Sequence, residues 1–76
     1  MAAERTKAEQ TYLLKVGRKI RSVRESSGHS QETFAVKCGL DRTYISDVER
    51  GERNISLLNL RKIANALKVE VHFLVQ

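Results

Sequence analysis

Seventy-six residues allow one domain, spanning 1–76, with a small core that a second copy would help to complete, because so short a chain removes only about 60% of its unfolded surface from water. Fourteen Lys and Arg against nine Asp and Glu give a net charge of +5, which suits a polyanion but also suits many soluble proteins. A single cysteine excludes an internal disulfide and the common zinc ligand sets, no apolar run approaches a membrane span, and Met1 to Gln10 lacks the apolar middle of a signal peptide.

In chain order, residues 1–8 are polar and expected to be flexible. Leu13, Val16, Ile20 and Val23 then recur at helical spacing with Lys and Arg between them, predicting an amphipathic helix from Glu9 to Ser26. Its Arg18, Lys19, Arg21 and Arg24 read either as a face that steers the chain toward nucleic acid or as a solvated one. Gly28 suits a left-handed helix end, and Ser30 is an N-cap for a second helix, Gln31 to Cys38, with Phe34, Ala35 and Cys38 inward. Cys38 reads as a small buried hydrophobe, which fits a reducing cytoplasm.

Gly39 and Leu40 make a turn, and Asp41 is expected to cap a third helix, Arg42 to Arg50, through its carboxylate. Ala35 is small where two crossed helices must nearly touch, and Ile45 and Val48 lie three apart, facing back toward the second helix. That spacing is a helix-turn-helix, and it frees Arg42, Thr43, Ser46 and Asp47 to face a DNA major groove. Gly51 ends the third helix, and Ser56 caps a fourth with Leu60, Ile63, Ala64 and Leu67 on one stripe. Lys68 to Gln76 fits either a strand or a last helical turn; the helix is favoured because no partner strand exists in the chain. The fold class is therefore all-α, a bundle of about five helices.

The first turn of the third helix holds the base-reading candidates. Arginine bonds guanine O6 and N7 in bidentate fashion, worth roughly 1–3 kcal/mol of discrimination, and threonine offers a hydroxyl and a methyl. Ser46 is permissive, whereas Asp47 is compatible with DNA only if it accepts from a cytosine N4 or pairs with an arginine. Tyr44 reads equally as a phosphate donor or as core packing. Gln31 and Thr33 begin the second helix, where free amides favour an anion, and Arg50, Arg53 and Asn54 are further phosphate candidates. Glu49 reads as one half of an exposed ion pair with a neighbouring arginine.

Charge distribution matters more than its sum. Residues 28–54 carry four basic and five acidic side chains, so affinity for phosphate must come from placed groups and from the basic first helix. His29 and His72 lack metal-ligand spacing, and no activated nucleophile or phosphate loop is visible, so neither an enzyme nor a metal, cofactor or small-molecule ligand is expected.

Val16-Gly17-Arg18-Lys19-Ile20-Arg21, Gly28-His29-Ser30-Gln31-Glu32, Tyr44-Ile45-Ser46 and Glu49-Arg50-Gly51-Glu52-Arg53-Asn54 together resemble the Cro and lambda-repressor-type helix-turn-helix regulators. The run from Asp41 to Ser46 with Glu49 to Asn54 looks most like the controller proteins of bacterial restriction-modification systems. The resemblance implies a five-helix lambda-repressor-like domain in the bacterial cytoplasm, with Gln31 at a phosphate and Arg42, Thr43 and Ser46 at bases. It also implies a homodimer closed by residues 68–76 with Leu57, Val71 and Phe73. Such a dimer sets two third helices about 34 Å apart on a pseudo-palindromic operator, ahead of its own gene. RNA polymerase is a further implied partner; of the acidic groups that meet it in such proteins only Glu32 is matched, and Val36 is not acidic. An antitoxin or phage-type repressor of the same fold, or an adaptor using the scaffold only for protein contacts, are the alternatives.

Overall fold

Residues 4–76 are described by the structure, a computed structural model, and they form five α-helices. These are α1 (Lys7–Ser26), α2 (Gln31–Cys38), α3 (Arg42–Glu49), α4 (Leu57–Leu67) and α5 (Val71–Val75). α1 begins two residues earlier than predicted because Thr6 and Glu9 form a capping box. The Thr6 hydroxyl accepts from the Glu9 amide at 3.0 Å while the Glu9 carboxylate accepts from the Thr6 amide at 2.8 Å. Lys7 and Ala8, expected in a flexible end, are therefore helical; residues 1–3 of that expectation lie outside the described residues.

Ser30 caps α2 as expected, its hydroxyl accepting from the Thr33 amide at 3.1 Å. His29, just before the cap, stacks on Phe34 with ring centroids 6.4 Å apart, and so fixes the angle at which the chain enters the helix. Gly39 turns the chain at φ 70°, a left-handed conformation that costs glycine nothing, and the amides of Gly39 and Leu40 return to the carbonyls of Val36 and Ala35. Asp41 occupies the N-cap of α3, but its carboxylate makes no cap bond. Its side chain is exposed, where water replaces such a bond at little net cost.

α4 ends at Lys68, held at φ 60° with no glycine to relieve it, and the chain then re-enters a helix rather than a strand. Leu74 of α5 is only 1% exposed, and the Tyr12 hydroxyl of α1 donates to the Val75 carbonyl at 2.8 Å. Packing on α1 and α4 thus makes five residues a helix that would not persist alone. Phe34, Ile20, Ile45, Ile63, Leu74 and Val48 form the deepest part of the core. Cys38 joins them, and burial pushes its thiol up to about 11.

Two close contacts set α1 against the end of α3. A Cβ on Gly17 would land on the Val48 carbonyl oxygen and 2.7 Å from that of Glu49, so only glycine lets the helices approach this closely. Beside it lies a buried ion pair that the sequence reading misplaced. Arg24 and Glu49 are 6% and 5% exposed, so neither is the solvated or steering charge that was expected. Arg24 Nε donates to Glu49 Oε2 at 2.6 Å and Nη2 to Oε1 at 3.0 Å, a bidentate pair between α1 and α3. Arg24 Nη1 also donates to the His29 carbonyl at 2.7 Å, and Gln31 Nε2 donates to Glu49 Oε1 at 3.0 Å. The hydrogen bond to Glu49 raises the Arg24 pKa, outweighing the burial that lowers it. Among the described residues no buried side-chain nitrogen or oxygen lacks a partner.

Gly17→Ala should destabilise the protein by more than about 1 kcal/mol in urea unfolding, the reverse of the gain of roughly 0.5–1 kcal/mol that a helix interior usually draws from this change. Arg24→Met alone should cost about 3–5 kcal/mol by stranding a buried carboxylate, and Arg24→Met with Glu49→Leu should recover most of it in the same assay. For Cys38 the folded value lies above the unfolded one, so its contribution is intact below about pH 9 and lost as pH rises through about 11. Wild type should accordingly lose about 2 kcal/mol relative to Cys38→Val across that window in paired unfolding curves.

Candidate nucleic-acid interface

The tight α2–α3 corner forces the surface of α3 to divide. Ile45 and Val48 are buried at 0% and 1% exposure, and the rest of the helix is left to carry polar groups outward. Arg42 and Thr43 lie exposed in its first turn, and among the described residues neither makes a side-chain hydrogen bond or ion pair. Helical spacing brings Ser46 and Asp47 one turn further along the same side, and both are half-buried.

Beyond them the side chains are committed to one another. Asp47 Oδ1 accepts from Arg50 Nη2 at 2.7 Å, and Asp47 Oδ2 accepts from Arg53 Nη2 at 3.3 Å. Arg50 also donates to the Ser46 hydroxyl at 2.6 Å and to Glu52 at 3.1 Å. Its pKa is raised, first by the bond to Glu52 and then by the charges of Glu52 and Asp47. The Arg53 guanidinium lies 4.8 Å from the centre of the Tyr44 ring, while that ring packs on the core, so the packing reading of Tyr44 describes the free protein. Of the residues expected to read bases, the structure thus leaves Arg42 and Thr43 without partners and engages Ser46 and Asp47 within the fold.

The start of α2 is similarly divided. Gln31 is half-buried with its carboxamide nitrogen given to Glu49, whereas Thr33 is exposed and its hydroxyl accepts from the Ser30 hydroxyl at 3.0 Å. Instead of a surface charge, Glu49 is a buried group that links the phosphate candidate of α2 to the end of the helix that carries the base-reading candidates. An ion pair across twenty-five residues has no local sequence period, so spacing alone could not have found it. Asn54 is exposed and borders a cavity of about 600 Å³ that also touches Tyr12, Ile55 and Leu60.

The expected contact residues of the C-terminal end are not equivalent. Leu57 is 77% exposed and Leu58, which the sequence reading passed over, is 74% exposed. Val71 is half-buried against the core, and Phe73 is 37% exposed with Lys19 Nζ 4.4 Å from its ring centre. No helix among the described residues is long and apolar enough to cross a membrane.

Known proteins share both this geometry and this sequence. The family described as Helix-turn-helix matches residues 20–74. The control protein C.BamHI of Bacillus amyloliquefaciens is 56% identical over 55 residues, which cover 71% of this chain and 68% of that protein. Among solved structures, the restriction-modification controller protein C.AhdI from Aeromonas hydrophila superimposes with a TM-score of 0.80 at 50% identity, covering 82% of this chain and 94% of the other. The biofilm master regulator SinR, solved in complex with DNA, gives a TM-score of 0.77 at 34% identity over 80% of this chain and 98% of the other. These relatives are transcription regulators rather than enzymes, in agreement with the sequence reading, and the five helices agree with the predicted fold class. With its α2–α3 corner, the exposed first turn of α3 and a match across most of its length, this chain belongs to the helix-turn-helix family of regulators.

Proposed function

We propose that this chain is a sequence-specific DNA-binding regulator of a restriction-modification operon that includes its own gene. The observation that carries this reading is the exposed, uncommitted pair Arg42 and Thr43 on the first turn of α3, the part of such a helix that reaches base edges. The names of its relatives support the regulatory role, since controller proteins are 56% and 50% identical to this chain over the aligned 71% and 82% of its length. Arg42 recognises a guanine edge, Thr43 a base edge or thymine methyl, and Ser46 follows one turn later. Gln31, Thr33, Tyr44, Arg50, Arg53 and Asn54 hold the phosphates, which supply most of the affinity and make it fall with salt.

The chain acts as a homodimer in this proposal. Leu57 and Leu58 lie side by side at the start of α4, 77% and 74% exposed, in a small domain whose own core is marginal. Val71 and Phe73 of α5 extend that contact. Two-fold symmetry then demands a pseudo-palindromic site with half-sites about 34 Å apart. A contact with RNA polymerase would use the exposed outer side of α2, where Glu32 stands near Val36.

Selection from a randomised duplex pool, followed by titration at fixed salt, tests the reading. Wild type should recover a pseudo-palindrome; Arg42→Ala should lose about tenfold or more of its preference at one base pair in each half-site and keep the rest. Gln31→Ala should weaken all sequences evenly and lessen the salt slope. Leu57→Asp with Leu58→Asp should shift sedimentation toward the monomer and weaken operator binding while the helical signal stays intact. An Arg42→Ala protein with an unchanged base profile would remove Arg42 as the reader.

A further inference from the structure

The far end of α3 carries four exposed or half-buried charges whose sum is zero: Arg50 and Arg53 against Asp47 and Glu52. Glu49 does not enter that sum, because Arg24 neutralises it inside the fold. Within the cluster the two acids are not equivalent. Glu52 reaches Arg50 alone, from a loop position whose side chain is 57% exposed. Asp47 stands on the helix with its side chain 23% exposed, and it uses one oxygen for each arginine. Arg53 is further confined by the Tyr44 ring beneath it, and Arg50 by the Ser46 hydroxyl.

We infer that Asp47 is a positioning residue that determines specificity by splaying Arg50 and Arg53 into a fixed phosphate clamp, rather than a side chain that reads a base. The inference rests on the DNA-binding reading above and assigns the division of labour within that site. Each carboxylate oxygen already accepts from one of the protein's own arginines, so turning the carboxylate toward a cytosine amine would strain both charge-assisted bonds. Holding the arginines instead has two effects on DNA. Their ordering is complete before binding, so they fit phosphates only where the duplex is docked in register by α3. Their charge is also partly cancelled, which lowers attraction to phosphates of arbitrary sequence. A tethered arginine pair therefore favours the specific complex over the nonspecific one, without any base contact from the acid.

Asp47→Asn and Glu52→Gln each remove one negative charge per protomer, so charge alone would make them behave alike. Both are measured by fluorescence anisotropy on the duplex that wild type recovers from a randomised pool and on a scrambled duplex, between about 50 and 200 mM salt. Both variants should bind the scrambled duplex about two- to fivefold more tightly with a steeper salt slope. Only Asp47→Asn should also weaken the recovered duplex, by about three- to tenfold, with the loss spread evenly over base substitutions in the site. In an Arg50→Ala, Arg53→Ala background, Asp47→Asn should no longer weaken the recovered duplex relative to that background. A loss of preference confined to one base pair in each half-site would show that Asp47 reads that base, and equal behaviour of the two variants would show that only charge matters; either overturns the inference. Wild type that binds no duplex at low salt would overturn the DNA-binding reading itself, whereas a wild type that binds normally beside an unaltered Asp47→Asn overturns only the role given to Asp47.

Discussion

The orientation of the candidate interface depends on the buried pair Arg24 and Glu49. α3 is eight residues long and too short to hold its own axis, so its direction is set by what grips its end. Gly17 lets α1 approach the Val48 and Glu49 carbonyls, and the bidentate Arg24 bond then fixes the rotation of α3 about that contact. The same carboxylate accepts from Gln31, and the same guanidinium donates to the His29 carbonyl, so the loop before α2 and the first residue of α2 are tied to one buried charge pair. A buried pair of this kind adds little net stability against an apolar replacement of equal volume. Its value here is geometric, because it relates the start of α2 to the end of α3 through bonds with directions, which apolar packing does not supply.

The electrostatics of the interface follow the same economy of placement. Residues 28–54 are slightly acidic, yet three of their five acids are spent internally: Glu49 on Arg24, Asp47 on Arg50 and Arg53, Glu52 on Arg50. Among the described residues, the arginine and threonine of the first turn of α3 remain without a side-chain hydrogen bond or ion pair. A strongly basic surface would bind any duplex, and at a fixed salt it would blur the difference between right and wrong sites. A near-neutral surface with a few uncommitted donors makes discrimination a larger share of the total.

The elements legible in the sequence were those whose signals are local. Helix periodicity gave α1, α2 and α4; Ser30 and Ser56 marked two N-caps, and Gly39 marked the turn. Less local features were missed for identifiable reasons. Thr6 and Glu9 form a capping box in a stretch whose polarity suggested a loose end. Lys68 takes a left-handed conformation where a glycine would have announced it. Asp41 sits where a cap is expected and leaves its carboxylate to water. Leu58 lies outside the apolar stripe of α4, so a search for the core passes over it.

By itself the sequence determined the helical class, the crossed α2–α3 pair and the identity of the first-turn residues, because each depends on spacing within about ten residues or on a motif written in one run. Only the tertiary structure decided which charges are structural and which are free. Arg24 looks like its neighbours Arg18 and Arg21 along the chain, and Glu49 looks like any acid near a helix end, until folding sets them 2.6 Å apart out of water. Partner choice between charged side chains is a property of three-dimensional distance, and for groups twenty-five residues apart no pattern in the chain encodes it.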